Sequence, residues 1–83
     1  RQSAATPPRP GVEATLAEIW RDVLKVDSVG ADDNFFELGG HSLLTLRVAR
    51  QVRERLGIAL DPRVLFFKTL RQIAAELTHL QTR

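Results

Sequence analysis

Ser42 stands behind Gly39-Gly40-His41 at the mouth of a segment with helical apolar spacing, and no other residue of this chain has a setting so suggestive of chemistry. A hydroxyl at a helix start sits at the positive end of the macrodipole, where a phosphate attached to it is electrostatically favoured. That suits a serine that becomes modified rather than one that attacks. A nucleophile needs a base, yet His41 is its immediate neighbour in the chain, and His79 lies in the last helical segment with no evident acid partner. The nucleophile elbow Gly-x-Ser-x-Gly is also unmet, because Leu43, Leu44 and Thr45 follow the serine and no strand precedes it. The plainest role for Ser42 is a helix N-cap. That role leaves the two preceding glycines, and Leu43 and Leu46 off the apolar stripe, without a purpose.

Composition removes other classes. The chain of 83 residues is one small domain, too short for a deep catalytic cleft. It has no cysteine, hence no disulfide framework and no thiolate chemistry, and His41 and His79 are too far apart to form a metal pair on one helix, so no metal site is expected. No apolar run approaches the roughly 18 residues that cross a bilayer, and Arg1-Gln2-Ser3-Ala4 lacks the apolar core of a secretion signal, so a soluble cytoplasmic domain without a membrane role is expected. A net charge of +2 is too mild to argue for nucleic acid. Arg47, Arg50, Arg53 and Arg55 do not share one narrow stripe and are interrupted by Glu54, which reads as a solvated helix face.

The elements that must position Ser42 are all helical, since strand-type alternation is absent and 3.6-residue spacing recurs. Residues 1–11, with Thr6-Pro7-Pro8-Arg9-Pro10, cannot be helical and read as an interdomain linker with nothing to bury. Val12, Leu16, Ile19, Trp20, Val23 and Leu24 predict helix one over 12–26, with Trp20 as packing. A long connection from Asp27 to His41 follows, pinned by Val29, Phe35, Phe36 and Leu38. Helix two runs from Ser42 as N-cap to Leu56, with Gly57 in a left-handed C-terminal position and Thr45, Val48, Ala49, Val52 and Leu56 facing the core. Asp61-Pro62 predicts a short helix three through Phe66. Helix four follows a Thr69/Gln72 capping box and carries Leu70, Ile73, Ala74, Leu77 and Leu80 inward.

With helix one before it and Val48 to Leu60 after it, the segment Asp33 to Leu43 resembles the carrier domains of nonribosomal peptide synthetases, the likeness covering about residues 12–80. The family motif Phe-Phe-x-Leu-Gly-Gly-His/Asp-Ser-Leu is met by Phe35, Phe36, Leu38, Gly39, Gly40, His41, Ser42 and Leu43. The resemblance implies an all-α four-helix bundle of the acyl-carrier type, with a long loop between helices one and two and a short third helix. It divides the chain into a linker over 1–11, a carrier domain over 12–80 and a tail over 81–83. Ser42 would receive 4′-phosphopantetheine from coenzyme A, attached by a separate phosphopantetheinyl transferase that brings a divalent metal. The arm's thiol would hold an aminoacyl or peptidyl thioester, so the domain itself needs no catalytic residue. The implied partners are that transferase, an adenylation domain, and a condensation or thioesterase domain, met by a monomeric carrier. Polyketide, fatty-acid, aryl and D-alanyl carriers are close alternatives, but fatty-acid carriers are typically acidic, and the charge and the Phe-Phe-x-Leu-Gly-Gly spacing favour the peptide type. From a different class, the rival is a small helical interaction or DNA-binding domain in which Ser42 merely caps.

If helix two buries the face named above, Leu43, Leu46, Arg47 and Arg50 turn away from the core. Leu43, Leu46 and Arg47 are then expected to meet partners beside the serine. His41 is expected to join them, and a histidine there inclines the assignment toward a following condensation or release domain. Phe66 and Phe67 are adjacent, so one should be core and the other a contact; Phe66 is expected inside and Phe67 outside, with Arg63 also on the partner side. The family usually has Pro-Thr before the last helix, whereas Lys68-Thr69 stands here.

Overall fold

The computed structural model describes residues 6–81, so the expected linker residues 1–5 and tail residues 82–83 lie outside the described residues. Among the described residues there are four helices in the order α1 (Val12–Leu24), α2 (Ser42–Leu56), α3 (Val64–Phe67) and α4 (Leu70–Gln81). The one sheet-like pairing among the described residues is an isolated bridge between Asn34 and Thr69. α1 packs against both α4 and α2.

The core follows the 3.6-residue stripes. Leu16, Ile19 and Trp20 of α1, Val48 and Val52 of α2, and Leu70, Ile73 and Leu77 of α4 are fully or almost fully buried. Leu56 and Leu44 pack against this cluster from α2. Burying each such side chain is worth roughly 1.5–3 kcal/mol, and a chain this small depends on nearly all of them. Leu80, expected to extend the α4 stripe, is 43% exposed. It sits in the final turn, about 60° around the helix from Leu77.

The boundaries of α1 and α3 differ from expectation. α1 stops at Leu24 because Lys25 adopts left-handed φ 58°, ψ 44° and donates its N–H to the Arg21 carbonyl, closing the helix two residues early. The third helix begins late. Asp61 to Arg63 wind through tighter i→i+3 turns, with Val64 N–H donating to Asp61 O at 3.1 Å and Leu65 N–H to Pro62 O at 3.2 Å, so the helix is a single turn, Val64–Phe67. Asp61 still acts at its start, accepting the Arg63 N–H at 3.0 Å. Within that turn the core residue is Leu65, which is fully buried, and Phe66 is 44% exposed, contrary to its expected inward position. Leu65 occupies the inward slot and Phe66 instead lies flat on Phe36, with ring centroids 4.5 Å apart and planes at 18°. Phe67 points outward and is 81% exposed.

The long connection is fastened at both chemical levels. Val29 and Phe35 are buried, and Phe36 and Leu38 pack partly against the core. Alongside them runs a polar seam: Arg71 N–H donates to Ala31 O at 2.9 Å, and Leu70 N–H to Asp33 O at 3.0 Å. Asp33, itself buried, accepts the Gly30 N–H at 2.8 Å. These bonds satisfy the open first turn of α4, which the capping box completes: Thr69 N–H donates to Gln72 Oε1 at 2.9 Å, and Gln72 N–H to Thr69 Oγ1 at 3.3 Å. The proline-rich arm lies on the same seam, since Ala31 N–H donates to Thr6 O at 2.7 Å and Arg9 N–H to Glu13 Oε1 at 3.0 Å. Thr6 and Arg9 therefore tie the arm to the bundle through backbone bonds, while Pro7, Arg9 and Pro10 stay exposed.

Candidate functional site

The site is built on Phe35. Its ring is fully buried and meets Trp20 edge to face at 5.3 Å, which anchors the connection to α1. From this anchor the chain curls tightly: Leu38 N–H donates to Asn34 O at 3.3 Å, Gly39 N–H to Phe36 O at 3.1 Å and Gly40 N–H to Phe35 O at 3.1 Å. Both glycines are required here by the fold. Gly39 holds φ +105°, and a Cβ on Gly40 would drive into the Phe35 ring and lie 2.9 Å from the Phe35 carbonyl oxygen. The cap role leaves these glycines without a purpose; the geometry gives them an internal one.

His41 then extends at φ −148°, ψ 174° and serves as the N-cap of α2 through its backbone, its carbonyl accepting Leu44 N–H at 2.9 Å and Thr45 N–H at 3.2 Å. Ser42 is thus the first helical residue and does not cap with its side chain, which corrects the expectation that it is the N-cap. Its carbonyl accepts the Thr45 hydroxyl at 2.6 Å, while its own side chain is exposed and held by no hydrogen bond among the described residues. The helix has no acidic residue in its first turn, so that turn sets no like charge against an anion. An exposed primary hydroxyl beside open backbone N–H groups fits a phosphodiester-linked arm.

Around this hydroxyl, His41 and Arg47 are exposed, Leu43 is 66% exposed and Leu46 is 56% exposed. Two large apolar side chains on one helix turn, beside an open hydroxyl, form a small apolar patch. Arg63 and Phe67 belong to a second group on α3 and its lead-in. Arg63 is exposed but held by Asp61 in a two-pronged pair, Nε to Oδ1 at 3.1 Å and Nη2 to Oδ2 at 2.9 Å, which raises the Arg63 pKa and lowers that of Asp61. Two further arginines of α2 meet carboxylates: Arg50 bonds Glu54 at 3.3 Å and Arg55 bonds Glu18 of α1 at 2.6 Å. The Arg55 hydrogen bond is the main cause of a lowered Glu18 pKa.

Sequence reasoning overlooked Asn34. Its amide nitrogen donates to Leu65 O at 3.3 Å and Lys68 O at 3.2 Å, and its Oδ1 accepts the Phe36 N–H at 2.9 Å, joining the α3 group to the loop that ends at Ser42. The signal was present in Asp32-Asp33-Asn34, a run of residues whose side chains bond nearby backbone. The unusual Lys68 is also explained. Its N–H donates to Val64 O at 3.0 Å, a bond that the family's proline would lack, and its ammonium pairs with Glu76.

Comparison with known proteins matches residues 14–77 to the family model described as a phosphopantetheine attachment site. Malpibaldin synthetase of Mortierella alpina is 54% identical over 59 residues, 71% of this chain and 1% of that protein. Gramicidin S synthase 2 of Brevibacillus brevis is 40% identical over 76 residues, 90% of this chain and 2% of that protein. The chain thus spans only 1% and 2% of the lengths of these two curated relatives. A solved structure of the phosphopantetheine transferase Sfp with coenzyme A and a peptidyl carrier protein matches at TM-score 0.84 and 40% identity, covering 89% of this chain and 97% of that one. The McyG A-PCP structure complexed with phenylalanyl-adenylate matches at TM-score 0.78 and 36% identity, covering 87% of this chain and 12% of that one. The likeness runs through the whole bundle in sequence and in form, and the chain belongs to the phosphopantetheine attachment-site family as a peptidyl carrier domain of the nonribosomal peptide synthetase type.

Proposed function

We propose that Ser42 is the residue that carries the 4′-phosphopantetheine arm, and that this carrier presents an aminoacyl or peptidyl thioester to partner domains of a nonribosomal peptide synthetase. The observation that carries the reading is the Ser42 hydroxyl itself: exposed, without a hydrogen bond among the described residues, and first in a helix whose cap is supplied by His41 instead. In loading, Ser42 Oγ attacks the pantetheine-bearing phosphorus of coenzyme A. An Oγ–P bond forms, the pyrophosphate P–O bond breaks, adenosine 3′,5′-bisphosphate leaves, and the hydroxyl proton passes to the transferase. When attached, the arm supplies the thiol that this cysteine-free chain lacks.

The domain contributes position rather than catalysis. The open first turn of α2 favours the phosphate negative charge, and covalent tethering raises the effective concentration of the cargo at each partner. Leu43, Leu46, Arg47 and His41 form the contact surface beside the arm, and Arg63 and Phe67 the second contact. The transferase, an adenylation domain and a condensation or thioesterase domain are the partners. The neighbours solved with Sfp and with an adenylation domain support the first two. The His41 position inclines the downstream partner to condensation or release. Residues 12–80 form the carrier unit, and loading from coenzyme A, a cytoplasmic metabolite, supports a cytoplasmic site of action. Among the described residues, no helix is long and apolar enough to cross a membrane.

The test is incubation with coenzyme A and a broad-specificity phosphopantetheinyl transferase, followed by intact mass. A gain of one arm that is absent in Ser42→Ala supports the reading; an unchanged mass, or a gain that survives in Ser42→Ala, overturns it.

A further inference from the structure

α3 is too short to hold itself in place. A single turn has no net helical stability of its own, and Leu65 is the only residue of it that is buried. Helix ends also leave their last carbonyls without partners. Here two carbonyls at that end, Leu65 O and Lys68 O, are both taken by the amide nitrogen of Asn34, at 3.3 and 3.2 Å across about thirty residues of chain. The other end of the same amide faces the opposite way in sequence. Oδ1 accepts Phe36 N–H at 2.9 Å, with Glu37 N–H at 3.4 Å, and the Asn34 carbonyl accepts Leu38 N–H at 3.3 Å. That turn leads through Gly39, Gly40 and His41 directly into Ser42. A second observation points the same way: Phe36 stacks on Phe66 at 4.5 Å, next to the outward Phe67.

We propose that Asn34 is a positioning residue for the loading reaction. One planar amide fixes α3, with Phe67, against the loop that delivers Ser42, so that the two contact groups reach a partner in one fixed geometry. The inference rests on the Ser42 reading above and deepens it. The amide is divisible: Asn34→Asp keeps an oxygen for the Phe36 N–H but loses both donors to α3 and sets a carboxylate against two carbonyls. The Ser42 turn should persist while α3 comes loose. A partner that touches both groups then meets the carrier in the wrong arrangement more often, which weakens encounter and leaves the chemical step intact.

The experiment is steady-state loading of the full chain by the transferase with saturating coenzyme A, varying the carrier. Val23→Ala in α1, far from α3 in sequence, is the comparison for general destabilisation, with melting curves for both. The expected result is a KM for Asn34→Asp raised roughly five- to tenfold, the equivalent of one or two net hydrogen bonds, with kcat within about twofold. Val23→Ala, matched for melting loss, should leave KM unchanged. Equal KM in Asn34→Asp and the unsubstituted chain, or an equal rise in Val23→Ala, overturns the positioning role alone. No loading of the unsubstituted chain overturns the Ser42 reading and this one with it. Should Asn34→Asp fail to fold, amide NMR of the unsubstituted chain decides: Asn34 side-chain NH2 protons are expected to exchange slowly and to lie close to the Phe66 and Thr69 amides, and fast exchange without those contacts overturns the proposal.

Discussion

Arg71 donates from Nε to Glu13 Oε2 at 3.1 Å and from Nη2 to Oε1 at 3.3 Å, tying the first turn of α4 to the first turn of α1. The carboxylate is nearly buried, at 9% exposure, and also accepts the Arg9 N–H at 3.0 Å, so it joins two helices and the arm. Burial acts to raise the Glu13 pKa, but the Arg71 hydrogen bond, the Arg9 backbone bond and the two positive charges outweigh it, and the net shift is downward from 4.5. A lowered folded pKa means that the ionised form is stabilised by folding. The contribution is present in full above 4.5 and is lost as pH falls through the lower folded value.

Glu13→Gln should therefore destabilise the fold at neutral pH by roughly 1–3 kcal/mol, since it removes a charge-assisted pair and leaves Arg71 less well matched. Urea melts at descending pH test the sign. The gap between the two proteins should be widest above pH 4.5 and shrink below it; a constant gap contradicts the assignment.

Gly40→Ala places a methyl group into the Phe35 ring. Overpacking of this kind costs roughly 1–3 kcal/mol, and because the disturbed ring lies on Trp20, the effect should be visible at the indole. The chain has one tryptophan and no tyrosine, so its emission reports the surroundings of Trp20, the Phe35 ring among them. A lower melting point with altered Trp20 emission is expected, and neither change would mean that Phe35 yields freely.

Leu65→Ala and Phe66→Ala separate core from surface within α3. The buried leucine should lose roughly 2–5 kcal/mol on truncation, whereas the half-exposed phenylalanine should lose about 1 kcal/mol, chiefly its stack on Phe36. Chemical denaturation of both variants checks the order, and the reverse order would restore Phe66 to the core.

Leu43→Asp and Leu46→Asp remove apolar contact surface from exposed positions, at 66% and 56%. Their melts should stay within about 0.5 kcal/mol of the unsubstituted chain. Transferase loading should slow severalfold in each. Unchanged loading in both would detach these leucines from partner contact.

Where a property depends on periodicity, the sequence disclosed it. The inward faces of α1, α2 and most of α4, the Gly57 terminus and the Thr69/Gln72 box each rest on local spacing, and the outward Leu43 and Leu46 follow from the same geometry. What spacing could not disclose were contacts between distant segments. The pair Glu13–Arg71, the amide of Asn34 on Leu65 and Lys68, and the arm's bond from Ala31 to Thr6 are set by tertiary docking. Phe66 was misplaced because one turn offers too few residues to define a face. The residue type of Ser42 suits a cap, yet the His41 backbone takes that position, and the shift leaves the serine hydroxyl open.

The central claim is that the open hydroxyl of Ser42 takes the arm. It is tested most directly by digesting the loaded protein and sequencing the modified peptide by tandem mass spectrometry. The account predicts a single arm, located on Ser42, with Ser3, Ser28 and the threonines unmodified. An arm found on any other residue, or no arm on the peptide that contains Ser42, would contradict it.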